Sequence, residues 1–207
     1  ASDFPISAPE DYAADFQTPN HPRVGVSWFE AAAFCRWLDA TYTAEELGLP
    51  EGWRVRLPTD AEWERAARWP NGLEDRRPRF FPWGDPHSDE ELTRRCNWLG
   101  AGLQRTSAVG LFSPDGDSAG GLTDLAGNVW EWCQSRAVEI GTQAAQAAYN
   151  QSPTLDEEAG DEPRVLRGGS WGNNLHDNLR AASRDDDPPA VRDVSYGFRL
   201  VGVGESR

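Results

Sequence analysis

An irregular α+β fold is predicted for this chain, with two helices set against short strands and much of the polypeptide in loops. Three observations point there. Glycine and proline are frequent, 20 and 15 of 207 residues, which favours short elements joined by turns. Two phrases, Ser27 to Glu30 and Thr59 to Glu62, have the S/T-x-x-E spacing of a capping box, in which the first side chain and the glutamate each satisfy a backbone N–H at a helix start. Short hydrophobic, glycine-bearing segments in the C-terminal third read as strands.

In chain order, residues 1–22 carry scattered prolines and read as an irregular lead-in. The first helix opens after Ser27, with Phe29, Ala33, Phe34, Trp37 and Leu38 expected as its buried stripe. Gly48 to Gly52 end that region, and Arg54-Val55-Arg56-Leu57-Pro58 alternates as a short strand. Thr59 then caps a second helix running through Trp63, Ala66 and Ala67. Residues 70–121 give few regular signals and are expected to form long packed loops. A strand is expected to end at Val129-Trp130-Glu131-Trp132, followed by an exposed acidic connection over 137–163. Strands are also read at 165–171, 179–184 and 197–201. No internal repeat is visible, and one domain is expected over residues 1–207.

Composition narrows the function classes. A net charge of −14 opposes a nucleic-acid surface. No apolar run approaches the length of a membrane-spanning helix. The start, Ala1-Ser2-Asp3-Phe4-Pro5, has neither a basic leader nor an apolar stretch, so no signal peptide is expected and a cytoplasmic location is favoured. The lack of an initiator Met points to a processed or trimmed chain. All 20 basic residues are arginine, a trait of GC-rich genomes that also suits a heat-tolerant bacterial host. Cys35, Cys96 and Cys133 are too widely spaced for a zinc site and too few for a disulfide framework, so buried free thiols are expected for most of them.

Several phrases then occur in order: Val24-Gly25-Val26-Ser27-Trp28, Arg56-Leu57-Pro58-Thr59-Asp60-Ala61-Glu62-Trp63-Glu64, Pro82-Trp83-Gly84, residues 120–132, Arg167-Gly168-Gly169-Ser170-Trp171 and Gly197-Phe198-Arg199. Over residues 20–201 these resemble the formylglycine-generating-enzyme, or sulfatase-modifying-factor, family. The resemblance implies a C-type lectin-like fold, with two helices around small twisted antiparallel sheets. That family begins with a further strand segment that has no counterpart here, so a missing N-terminal piece is expected.

The resemblance also bears on catalysis. Oxidising members use two cysteines just after the Gly-Gly-Ser-aromatic phrase to hold copper. The matching positions here are about Asn173 and His176, and the last cysteine is Cys133. Cu(I) favours soft thiolate or thioether ligands, and methionine is absent as well. A second branch, which forms a sulfoxide in ergothioneine synthesis, holds iron with histidines. Only His21, His87 and His176 occur here, without an H-x3-H-x-E pattern. No nucleophile elbow, P-loop or H-E-x-x-H phrase is present. A catalytic site is therefore not expected.

Residues 172–196, framed by residues 164–201, resemble the variable region of a protein diversified by a retroelement. In such elements an RNA template is copied with errors at adenines, so Asn codons change most and never become stops. The positions expected to be variable and ligand-binding are Gly172, Asn173, Asn174, Leu175, His176, Asp177, Ser183, Asp185, Asp186, Asp187, Ala190, Val191, Asp193, Val194, Ser195 and Tyr196. Arg180, Ala181, Arg184, Gly197, Phe198 and Arg199 would be fixed. Short polar and aromatic side chains on a rigid frame give adaptable contacts at low entropic cost. Fixed family members also carry Asn and Asp in these loops, where those residues make turns. The alternatives are thus a fixed accessory domain or a redox or metal-dependent enzyme of the family.

The expected partner is a protein or other macromolecule, and no cofactor is required. The resemblance also implies a structural Ca2+ ion. The resemblance places it at the carbonyls of Gly127 and Val129 with the Glu131 carboxylate, the alternative being that Asn128 and Glu131 satisfy buried backbone groups. Asp185-Asp186-Asp187 is read as a solvated turn, with a calcium site as its alternative. Asn97 and Trp98 match a second family calcium site only in part.

Overall fold

The computed structural model describes residues 11–69, 78–85, 88–137 and 160–204. Residues 1–10, His87 and most of the expected acidic connection, 138–159, lie outside the described residues. Helix α1 spans Trp28–Thr41, strand β1 Arg54–Arg56, α2 Asp60–Arg68, α3 Asp89–Arg95, β2 Trp130–Arg136, β3 Arg164–Arg167, β4 Arg184–Asp187, β5 Tyr196–Gly197 and β6 Val201–Val203. Single 3-10 turns occur at Ala14–Phe16, Leu99–Ala101 and His176–Leu179.

Both capping boxes form as the spacing requires. The Glu30 N–H donates to Ser27 Oγ at 3.3 Å and the Ser27 N–H to Glu30 Oε2 at 2.8 Å. The same reciprocal pair joins Thr59 and Glu62 at 3.2 and 2.9 Å. Each box satisfies two helix N–H groups that would otherwise lack partners.

The central sheet has the order β4-β3-β2-β5, antiparallel except for the parallel β2–β5 pair. Residues paired directly across strands share a face. Trp132, Leu166 and Asp185 therefore lie on one face, and Glu131, Arg167 and Arg184 on the other. The first face packs on α1 through Trp28, Ala31, Ala32 and Cys35. The second packs on α2 through Trp63 and Ala67, with Cys133 and Val165 from the sheet. A smaller cluster of Phe81, Leu92, Cys96, Trp98 and Leu179 fixes α3. Strands β1 and β6 form a separate antiparallel pair.

Several expectations need correction. The buried face of α1 is not the aromatic stripe: Phe34 and Trp37 are 40% and 49% exposed. Alanine and cysteine let the helix approach the sheet closely, and the larger rings are left outside, where Phe34 packs on Phe198 and Trp37 on Tyr42. Helix α3 lies inside a region read as loop, capped by the Ser88 side chain. Strand β2 begins rather than ends at the Trp130-Glu131-Trp132 phrase. The strand expected over 179–184 is a 3-10 turn followed by a bend, and the strand itself is Arg184–Asp187. Asp185-Asp186-Asp187 is therefore an edge strand and not a turn, because pairing with β3 outweighs aspartate's low strand preference. The expected 165–171 strand stops at Arg167, since Gly168 and Gly169 have φ of 94° and 74°. The expected 197–201 strand is divided between β5 and β6.

Candidate binding face

The face is built on a buried layer of charge. Arg167, at the end of β3, is fully buried. Its Nε donates to Asp60 at 2.5 Å and its Nη2 to Glu64 at 2.5 Å. Its Nη1 reaches the Ser183 carbonyl at 2.6 Å and that of Ala181 at 3.3 Å. Arg184 closes on the other Asp60 oxygen at 2.7 Å, and Arg68 on Glu64. Burial opposes ionisation of Glu64, but Arg167 and Arg68 outweigh it and hold its carboxyl below the usual value. This fork fixes the segment before β4 to helix α2.

A second pair lies beside it. Glu131 of β2 accepts from Arg199 Nε at 2.5 Å, from its Nη2 at 2.6 Å and from the Trp63 indole at 2.6 Å. Arg199 also donates to the carbonyls of Thr123 and Asp124. A guanidinium thus stands where a cation bound to Glu131 would be, and the carboxylate is already neutralised. The Glu131 carboxylate does not fit the expected calcium-ligand role. Asn128 at φ 66° accepts the Ser107 N–H at 2.9 Å and donates to the Ser107 carbonyl at 3.3 Å. Gly127 donates its N–H to the Gly168 carbonyl at 2.8 Å, and Val129 is buried in the same turn. The Asn128 side chain thus satisfies both backbone groups of Ser107 at the entry to β2. Among the described residues, no group of three or more His, Cys, Asp or Glu is placed to hold a metal ion.

The displayed positions lie above this layer. None of the sixteen positions named above as variable is buried, whereas Arg164 to Ser170, Leu179, Ala181 and Gly197 all are. Gly169 has no room for a side chain, because an added Cβ would stand 2.8 Å from the Asn178 carbonyl oxygen. The positions form two patches on either side of the buried Leu179 and Ala181. The first holds Gly172, Asn173, Asn174, Leu175, His176 and Asp177, of which Asn173 and His176 contact α3 and the turn after it. There the Leu99 N–H donates to the Asn173 carbonyl, and His176 Nε2 is 3.0 Å from Asp89 with its ring edge-on to Trp98. Asp177 pairs with Arg180, and Leu175, at 59%, is the most exposed large hydrophobic side chain among the described residues.

The second patch follows β4 and the return to β5, over Ser183, Asp185, Asp186, Asp187, Ala190, Val191, Asp193, Val194, Ser195 and Tyr196. It is tied to the start of α1 by the Trp28 N–H to the Pro189 carbonyl, the Gly25 N–H to the Asp193 carbonyl, and Arg192 to Glu30 at 2.8 Å. Some displayed residues also hold structure. Asn173 Oδ1 accepts the Ser170 N–H at 2.6 Å, and Asp193 Oδ1 accepts the Ser195 N–H at 2.7 Å. The Tyr196 hydroxyl donates to Asp187 at 2.8 Å while its ring packs edge-on against Trp132. Sequence reasoning missed Asp89 and Trp98 as neighbours of this face. The Ser88-x-x-Glu91 spacing was the signal available for α3.

Residues 5–203 match the sulfatase-modifying factor enzyme 1-like domain. The chain belongs to this family. The formylglycine-generating enzyme of Streptomyces coelicolor is 36% identical over 203 residues, covering 88% of this chain and 53% of the relative. The hercynine oxygenase of Mycolicibacterium thermoresistibile is 35% identical over 185 residues, covering 88% of this chain and 36% of the relative. The chain thus spans about half, or less, of the length of these two curated relatives. Treponema denticola variable protein 1 superimposes with a TM-score of 0.61 at 26% identity, covering 87% of this chain and 70% of that one. The fold is the C-type lectin-like fold of this family, and the expected likeness to a variable protein holds at the level of structure.

The family contains enzymes, so the residues at the oxidising centre matter. Where those members are expected to carry cysteines, this chain has Asn173 and His176, one bracing Ser170 and the other facing Asp89. All three of its cysteines are buried free thiols, where most were expected to be. Burial pushes Cys35 up to about 11 and Cys96 up to about 12, and raises Cys133 as well.

Proposed function

We propose that this chain is a non-catalytic binding protein whose face over residues 172–196 is diversified by a retroelement. The observation that carries the reading is the separation of the two residue sets. The displayed positions all meet solvent; of the residues expected to be fixed, Ala181 and Gly197 are buried and Arg184 and Arg199 are paired with Asp60 of α2 and Glu131 of β2, while Arg167 is locked to α2 beneath them. A surface that must change while the fold persists needs that separation, since exposed substitutions away from structural features move stability by only about 0.5 kcal/mol. Asn173, Asp187, Asp193, Ser195 and Tyr196 brace their own loops, so diversification is concentrated at the remaining displayed positions.

Recognition here consists of contacts only. Leu175, His176 and Val194 supply apolar and aromatic surface, and Asn174, Asp177, Asp185 and Asp186 supply polar contacts. The partner is a protein or other macromolecule, and the charge of −14 disfavours nucleic acid. No metal is required. The bracing by Asn173 and Asp193 also suits a fixed accessory domain, the second reading.

The DNA flanking the gene decides between them. A near-copy of the segment encoding residues 171–198, altered at adenines and close to a reverse-transcriptase gene, is expected. A complete flanking sequence with no such copy would leave the fixed accessory domain. Metal analysis tests the enzyme alternative, because stoichiometric copper or iron in the purified protein contradicts a purely binding role.

A further inference from the structure

A second site lies away from the displayed face, in the cleft between α1 and β1. A cavity of about 310 Å³ opens there, at the lower end of the range for small-molecule pockets. Its inner wall is apolar: Trp28, Ala32, Val55 and Leu57 are all buried. The Cys35 thiol completes that wall, and burial pushes it up to about 11, so it is neutral at physiological pH. The Trp28 indole is fixed, donating to the Cys133 carbonyl at 2.9 Å, so that ring is a rigid surface.

The rim is charged. Arg56 is committed, bridging to both Glu62 oxygens and to the Leu57 carbonyl. One Asp39 oxygen accepts the Val55 N–H at 2.8 Å. Arg36 and Arg54 also line the cavity, and both residues are exposed. Among the described residues, neither guanidinium has an ion-pair or hydrogen-bond partner. Two uncommitted guanidinium groups and one carboxylate leave the rim net positive on a chain whose total charge is −14. The fork of an arginine matches a carboxylate or sulfonate.

We propose that the α1–β1 cleft is a binding site for a small organic anion with an apolar body, the body against Trp28 and Leu57 and the anionic end between Arg36 and Arg54. The site shares no residue with the 172–196 face, so its test is independent of the proposed function. The pairing of a compact apolar floor with a cationic rim selects against neutral analogues, which gain the floor but leave the rim unanswered. It also selects against bare inorganic anions, which gain the rim alone.

The test uses the full chain labelled with 15N, titrated with 3-phenylpropionate, its neutral amide and inorganic sulfate. The expected result is a saturable shift of the assigned Trp28 indole N–H by the acid, with the amide and sulfate at least about tenfold weaker. Arg36→Gln and Arg54→Gln, both at exposed positions, are each expected to weaken the acid by about three- to tenfold and to leave the amide unchanged. Their unchanged urea midpoints would show that the fold is intact. The proposal is overturned if acid and amide bind equally, if neither variant affects the acid, if shifts are confined to the exposed Trp37 and Trp53, or if no shift saturates.

Discussion

Replacing Arg167 by methionine removes the fork that joins the frame to α2 while keeping an apolar stem of similar length. Losing one partner of a buried ion pair costs about 3–5 kcal/mol. Here each carboxylate retains a second arginine, Arg184 for Asp60 and Arg68 for Glu64, which places the electrostatic loss at the low end. The carbonyls of Ala181 and Ser183 also lose their donor, at about 1–3 kcal/mol for each group left buried and unsatisfied. With about 3 kcal/mol for the ion pairs and at least about 1 kcal/mol for each carbonyl, the loss is about 5 kcal/mol or more, a large share of the 5–15 kcal/mol typical of a folded domain. With a urea slope of about 2 kcal/mol per molar, the unfolding midpoint falls by roughly 2.5 M or more at unchanged slope. Tryptophan fluorescence follows the transition. Arg167→Lys keeps the charge without the fork, so it recovers only part of the loss. A midpoint within about 0.5 M of the parent for Arg167→Met would refute the claim that this residue fixes the frame.

Three further outcomes are expected. Changing Asn174, Leu175, His176, Asp177, Asp185 and Asp186 together to serine lowers stability by no more than about 1–2 kcal/mol in the same assay, since each position is exposed and makes at most surface pairs; a loss comparable to that of Arg167→Met would contradict the division between face and frame. Glu30, Glu62 and Glu64 all have carboxyls held below the ordinary value of 4.5, burial being outweighed by arginine partners and, for Glu30 and Glu62, by capping hydrogen bonds. Their contribution is therefore present above that value and lost as pH falls through the lowered folded values, so urea midpoints measured from pH 7 to 3 should decline only in the acidic part of the range; a decline beginning near neutrality would point to other groups. A thiol-specific disulfide reagent at pH 8 is expected to leave Cys35, Cys96 and Cys133 unmodified in the native chain and to modify all three in denaturant. Rapid modification of one native thiol would reopen cysteine chemistry.

Legibility in the sequence followed the range of the interactions. The two capping boxes are local, and Ser27 and Thr59 identified both helix starts. The same rule applied to Ser88 and Glu91 would have found α3, but the surrounding glycine, proline and aspartate obscured it. Which face of α1 is buried was not local. Phe34 and Trp37 carry the larger hydrophobic surface, yet alanines face the sheet because the closeness of helix to sheet decides there. Asp185-Asp186-Asp187 reads as a turn by propensity and becomes a strand through its partner β3, whose paired residues lie 19 to 23 positions earlier in sequence. At the candidate face, the exposed set was legible because residues 172–196 are short and polar between glycine-bearing phrases. The partners of Arg167 and Glu131 were not, since Asp60, Glu64, Trp63 and Arg199 meet them only across the fold.

The central claim is that evolution changes the displayed residues while the charged layer beneath them stays fixed. Sequencing the segment encoding residues 160–204 in sibling isolates tests it most directly. The account predicts substitutions concentrated at Gly172, Asn174, Leu175, His176, Asp177, Ser183, Asp185, Asp186, Ala190, Val191 and Val194, with Arg167, Gly169, Ala181, Arg184, Gly197 and Arg199 invariant. Isolates in which residues 172–196 vary no more than the rest of the chain would contradict it.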